Sequence, residues 1–155
     1  MQCKLDLEIS HSQFGLRSRA VDDDELEWGE GNLQQGLMWQ PGLVLLDPLS
    51  DETFGADVVV RTVEKFLPSK GAQRTVQVPF EIIDTAELFA FSPCEELPVK
   101  LDVEVGDYTL IYEVCLGTEV YYVLTLLKGK IDTATALKTD GWGLVKDQAL
   151  TAGVF

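Results

Sequence analysis

The chain of 155 residues has very little of the chemistry that metal sites and nucleophilic enzymes use. It contains one histidine, His11, and three cysteines, Cys3, Cys94 and Cys115. A single imidazole excludes a histidine-rich metal site, and an odd number of cysteines without C-x-x-C spacing predicts neither a disulfide framework nor a zinc site. His11 continues the alternation of an N-terminal strand, where a histidine is usually a hydrogen-bonded packing residue. We therefore predict no catalytic residue, no metal site and no cofactor.

Long apolar runs are also missing. The longest, residues 42–46 and 121–127, fall far short of the ~20 residues that span a bilayer. Ionised residues occupy every second position from 4 to 8, which is incompatible with the uninterrupted apolar region of a signal peptide. We therefore expect a cytoplasmic protein that has no membrane partner.

Positive charge is scarce as well. Twelve lysines and arginines face 26 aspartates and glutamates, which gives a formal net charge of −14. Such a balance argues against a protein whose main role is to bind nucleic acid or an anionic membrane. The aromatic residues also lie among acids and not among basic residues, unlike those of nucleic-acid readers. A macromolecular partner is therefore expected to be a basic protein.

The negative charge is concentrated in one part of the chain. No basic residue lies between Arg19 and Arg61, and six acids surround Trp28 within nine positions: Asp22, Asp23, Asp24, Glu25, Glu27 and Glu30. Because like charges repel, this segment is predicted to be a solvated loop. One interpretation is a device for solubility. The other is a docking surface for a basic partner, with salt-dependent association and Trp28 as an anchor.

The dominant hydrophobic period is two, which is typical of strands with one buried face. It is clearest in residues 3–9, 75–82 and 99–114, the last predicted to be a hairpin in which Gly106 supplies the positive φ of the turn. Further strands are predicted at residues 42–46, 56–65, 87–91 and 120–127. One short helix is predicted at residues 32–37, with Asn32 as its cap.

Seven or eight short strands separated by turn signals predict an all-β chain folded as an antiparallel β-sandwich, with a closed β-barrel as the alternative. The length predicts a single domain over residues 1–155. Residues 129–155 form a weakly patterned C-terminal tail, within which residues 131–138 fit either a strand or a loop.

Two other functions fit this composition. A β-sandwich can bind a sugar or a lipid through stacking aromatic residues, for which the candidates are Trp28, Trp39, Tyr121, Tyr122 and Trp142. A concave pocket lined by aromatic side chains would favour this function. Alternatively, the chain is a subunit of a larger assembly without a ligand, which would require a flat apolar patch.

Several segments occur in the order found in the competence protein J (ComJ) family. They are residues 9–14, Trp28 with residues 35–37 and 39–44, residues 76–80, and residues 101–113 around Gly106. The chain resembles this family between residues 5 and 128, and the family's best-known member inhibits the nuclease NucA of competent bacteria. The resemblance implies a small non-enzymatic protein that binds another protein. Since the DNA groove of a nuclease is basic, an acidic surface can occupy it, and residues 22–30 are the predicted contact.

Overall fold

The computed structural model describes residues 1–9, 13–48, 55–139 and 145–155. His11 and Trp142 therefore lie outside the described residues. Within them, the strands are β1 (Gln2–Glu8), β2 (Phe14–Arg17), β3 (Leu37–Gln40), β4 (Leu43–Leu46), β5 (Gly55–Thr62), β6 (Ala72–Ile82), β7 (Phe89–Phe91), β8 (Glu96–Pro98), β9 (Gly106–Leu116), β10 (Val120–Lys128) and β11 (Thr135–Lys138). The α-helix is α1 (Glu30–Gln35), and two 3-10 helices span Asp23–Glu25 and Thr85–Glu87.

The strands form two sheets. The larger has the order β1-β5-β10-β9-β6-β11, and the smaller has the order β3-β4-β2-β7-β8. All pairs are antiparallel except β5 with β10, which run parallel. Neither sheet closes on itself within the described part of the chain, so the closed barrel is not the fold.

A single large core lies where residues of the two sheets meet. The larger sheet contributes alternate residues such as Val58, Val76 and Tyr112, and the smaller sheet contributes Phe14 and Val44 among others, all almost completely buried. The ring centroids of Phe14 and Tyr112 are 5.8 Å apart in an edge-to-face arrangement that favours close aromatic packing. Burial of one face of each sheet explains the period of two in the sequence.

The predicted all-β sandwich with one short helix is confirmed. The helix spans Glu30–Gln35 and not residues 32–37, and the predicted cap is wrong: Gly29 is the N-cap, and Asn32 lies in the first turn, where its side chain accepts from the Gly29 amide. The helix ends at Gly36, whose φ of +78° is the left-handed conformation that terminates helices. Eleven strands are present among the described residues, not seven or eight, because β2, β3, β8 and β11 have only three or four residues and little alternation. The parallel pairing of β5 with β10 also departs from a purely antiparallel sandwich.

The predicted hairpin at residues 99–114 is wrong in its first half. Gly106 has the expected positive φ, +147°, but residues 99–105 form no strand. β9 pairs instead with β6 on one side and β10 on the other, so both of its edges are already occupied. Val99 and Leu101 still pack against the core, which accounts for the alternation without a ladder of backbone hydrogen bonds.

The weakly patterned C-terminal stretch adds to both the sheet and the core. β11 pairs with β6, and Ala136 and Leu150 are buried in the main core. The Leu150 amide donates to the Ala134 carbonyl at 2.9 Å. No helix in the described ranges is long and apolar enough to cross a bilayer.

Candidate protein-binding surface

The acidic segment predicted from the sequence crosses the outer face of the smaller sheet. We call residues 19–30 the acidic strap. Its apolar residues Val21, Leu26 and Trp28 pack against a second, smaller hydrophobic cluster formed by Met38, Leu43, Leu45 and Phe91. Those four side chains point away from the main core, because their neighbours along each strand point into it. The strap therefore closes a second apolar layer and is not a loosely attached loop.

Arg19 fixes the first half of the strap. Its Nε donates to the Pro41 carbonyl at 2.8 Å, and its guanidinium lies 3.0 Å from the Glu25 carboxylate. Glu25 also accepts a hydrogen bond from the Asp22 amide at 3.0 Å. The hydrogen bond from Arg19, followed by that from Asp22, lowers the pKa of Glu25. Glu25 is thus part of the internal fastening of the strap.

Trp28 fixes the second half. Its indole N–H donates to the Gln13 side-chain carbonyl at 2.6 Å, and the half-buried ring packs against the smaller cluster. A tryptophan with an apolar ring inside and a satisfied N–H is typical of a packing residue that keeps one edge exposed. Trp28 is therefore a fastening of the strap first, with only part of its surface left for a partner.

Five carboxylates remain on the outside of the strap. Asp22, Asp23, Asp24, Glu27 and Glu30 are exposed. None of them forms an ion pair with a basic residue of the described ranges. The strap thus carries five uncompensated negative charges on a backbone held in place at both ends.

The C-terminal residues hold the far end of the strap through α1. The Asn32 side chain accepts from the Gly29 amide at 2.9 Å and donates to the Gly153 carbonyl at 2.8 Å. The Gly31 amide donates to the Phe155 carbonyl at 2.8 Å. A Cβ atom at Gly31 would overlap the Phe155 ring, so glycine is required for this close approach.

A groove with a volume of about 470 Å³ separates the strap from the turn that joins β7 to β8. Asp23 and Leu26 line one side, and residues 92–96 line the other, including Glu95 and Glu96. Sequence analysis missed this second acidic wall. Its only signal in the sequence is the pair Glu95-Glu96 directly after a proline-containing turn, and nothing in the sequence places that pair beside the strap.

The aromatic candidates for a sugar or lipid site that the structure describes do not come together. Trp39 and Tyr122 are 7% and 2% exposed and belong to the main core. Tyr121 borders a different depression, on the larger sheet, beside Lys4 and Asp57. Trp39 also borders a third depression, beside Phe80 and Tyr108, so the predicted aromatic side chains of the described residues line separate depressions and no common one.

A family model described as Competence protein J (ComJ) matches residues 6–127. The chain belongs to the ComJ family. No curated protein matches its sequence. Among solved structures, the chain is similar to "Crystal structure of ComJ, inhibitor of the DNA degrading activity of NucA, from Bacillus subtilis", with a TM-score of 0.66 and 16% sequence identity. The match covers 83% of this chain and 96% of that chain, and at this identity it shows a shared fold.

The part of the chain that matches the ComJ family contains both the acidic strap and the turn at residues 92–96. The matched residues end within β10, just before Lys128. The C-terminal segment that holds α1 therefore lies outside the match to the ComJ model. In this chain, residues beyond the matched region complete the fastening of the strap.

Proposed function

We propose that this ComJ-family chain is a non-catalytic protein that binds a nuclease and blocks its basic DNA groove with the acidic strap. The observation that carries the proposal is the set of five exposed carboxylates on one fastened segment that form no ion pair with any residue that the structure describes. The relative of known structure is described as an inhibitor of the DNA degrading activity of NucA, which supports a nuclease as the partner.

The physical basis of the proposal is electrostatic competition. A DNA groove attracts phosphates because basic side chains line it, and a row of carboxylates is attracted by the same field. The strap presents its carboxylates on a backbone already ordered by Arg19, Trp28 and the smaller cluster, so little conformational entropy is lost on binding. Charge complementarity of this kind mainly accelerates association and fixes the orientation of the complex.

The direct test is a titration of this protein into a NucA-type nuclease while the degradation of double-stranded DNA is followed. We expect cleavage to fall to the background at about one inhibitor per nuclease, with a complex visible by size-exclusion chromatography. Unchanged cleavage at tenfold excess, with the two proteins eluting separately, would refute the proposal. Inhibition without any complex between the two proteins would also refute it.

A further inference from the structure

The groove between the strap and the turn at residues 92–96 combines an apolar floor with an acidic rim. Leu26 of the strap, Phe91 of the smaller cluster and Pro93 provide apolar surface. Asp23 stands on one wall, and Glu95 and Glu96 stand on the other. A long basic side chain suits such a site, because its methylene stem needs apolar contact and its charged end needs carboxylates.

The charge of the rim is only partly balanced. Glu96 lies 3.2 Å from the Arg17 guanidinium, which also contacts Glu87 at 2.7 Å. Glu95 accepts a hydrogen bond from the Glu8 amide at 2.6 Å, an interaction that leaves its negative charge in place. Neither Asp23 nor Glu95 forms an ion pair with a basic residue in the part of the chain that the structure describes.

The wall that carries Glu95 is firmly held. The Ser92 hydroxyl donates to the Glu8 carbonyl, and the Ser92 amide donates to the Glu95 carbonyl at 2.9 Å. The hydroxyl also accepts from the Cys94 amide at 3.2 Å. Because the packing of Leu26 holds the opposite wall, the backbone segments that carry Asp23 and Glu95 are in place before any partner arrives.

We infer that this groove receives an arginine side chain of the basic partner, an inference that rests on the proposed function. The volume of about 470 Å³ is sufficient for the whole side chain. Arginine suits the groove better than lysine because the planar fork of its guanidinium has several N–H groups in fixed directions, enough to donate to carboxylates on both walls. The strap therefore supplies long-range attraction, and the groove supplies a specific contact.

The groove can be tested without a nuclease by titrating N-acetyl-argininamide and following backbone amide shifts by NMR. N-acetyl-citrullinamide, which has nearly the same shape without the charge, is the control ligand. We expect saturable shifts at residues 23, 26, 94 and 95 with the arginine compound and weaker binding by at least about tenfold with the citrulline compound. Equal binding of both compounds, or shifts confined to other parts of the protein, would overturn the inference.

A matched pair of variants separates the groove from the general charge of the strap. D23N/E95Q removes two carboxylates that line the groove, whereas D24N/E27Q removes two strap carboxylates that do not. We expect binding of N-acetyl-argininamide to weaken by about tenfold in the first variant and by less than about twofold in the second. Equal losses in the two variants would overturn the inference.

The exposed thiol of Cys94 at the edge of the groove reports on the complex. Its rate of alkylation by iodoacetamide is expected to fall at least tenfold when a NucA-type nuclease is bound. If the nuclease is bound and inhibited but the alkylation rate of Cys94 is unchanged, the groove inference is overturned and the proposed function stands. If the nuclease does not bind at all, the proposed function fails, and the N-acetyl-argininamide titration still decides the groove.

Discussion

Removal of the exposed charges of the strap is expected to slow association with the nuclease without weakening the fold. The variant replaces Asp22, Asp23, Asp24, Glu27 and Glu30 by the corresponding amides and leaves Glu25 unchanged. Glu25 is kept because Arg19 and the Asp22 amide depend on it, whereas the other five side chains form no ion pair with described residues. Since these five carboxylates repel one another, their neutralisation should leave the thermal midpoint the same or higher.

The size of the effect follows from Coulomb's law. Two unit charges ~10 Å apart in water interact with about 0.4 kcal/mol, so five carboxylates contribute roughly 2 kcal/mol per unit of positive charge on the partner. Screening with a Debye length of ~30 Å at 0.01 M salt and ~8 Å at 0.15 M reduces this energy. For each positive charge of the partner at this distance, the association rate of the strap variant should therefore fall by about tenfold at low salt and about threefold at physiological salt.

Stopped-flow fluorescence of the mixed proteins measures this rate at the two salt concentrations. The matched control neutralises five exposed acids in or next to the larger sheet: Asp6, Glu64, Asp102, Glu119 and Asp132. Both variants have the same net charge, so a difference between them reports on the position of the charge. The reasoning is refuted if both variants slow association equally, or if the strap variant has the wild-type rate and salt dependence.

Two further predictions concern the parts that support this surface, and a third concerns a buried thiol of the larger sheet. Arg19→Met should destabilise the protein at neutral pH, and the difference from wild type in urea midpoint should shrink in acid. Glu25, a carboxyl with a lowered pKa, stabilises the fold above its ordinary pKa of 4.5 and loses this contribution as the pH falls through its folded value, whereas the hydrogen bond from Arg19 to the Pro41 carbonyl does not depend on pH. A difference of the same size at neutral and acid pH would contradict this. Gly31→Leu should displace Phe155 and speed hydrogen exchange of the C-terminal amides, and unchanged exchange would show that the contact is dispensable. Desolvation, followed by the charge of Glu113, raises the pKa of Cys115 to about 11. This thiol should therefore stay unmodified by iodoacetamide at pH 8.5 until the protein unfolds, which mass spectrometry can measure.

Much of the fold follows from the alternation of apolar and polar residues. Four consecutive apolar residues, by contrast, indicate a strand that is buried on both faces. Leu43–Leu46 are all buried because Val44 and Leu46 face the main core while Leu43 and Leu45 lie beneath the strap. A strand that is apolar on both faces requires a cover on each side. This run therefore already indicated that some segment crosses the outer face of the smaller sheet, although not which one.

Pro79 and the alternation at residues 99–105 are weaker guides to strand pairing than they first suggest. Pro79 predicts an edge or bulged strand, yet β6 lies between β9 and β11. The register explains this: β11 pairs only with residues 75–77, so at Pro79, which pairs with Thr109 of β9, the strand has a neighbour on one side and is locally an edge. At residues 99–105, alternation arises from packing against the core, and sequence alone cannot distinguish this from strand pairing.

Only part of the candidate surface could be predicted from the sequence. The strap carboxylates form one continuous segment, so their proximity follows from the sequence. The roles of Glu25 and Trp28 as fastenings depend on Arg19, Gln13 and the smaller cluster, and the second wall of the groove comes from a turn far along the chain. The pairing of β2 with β7 brings the turn at residues 92–96 beside the strap. No local sequence pattern specifies this pairing.

The most direct test of the account is the hydrogen-exchange footprint of the complex with a NucA-type nuclease. When the nuclease is bound, hydrogen exchange of the backbone amides is expected to slow in residues 19–35 and in the turn at residues 92–96. Exchange of the amides of the larger sheet is expected to stay unchanged. Protection on the outer face of the larger sheet, with none on the strap or the turn, would contradict the claim that this protein binds its partner through the acidic surface of the smaller sheet.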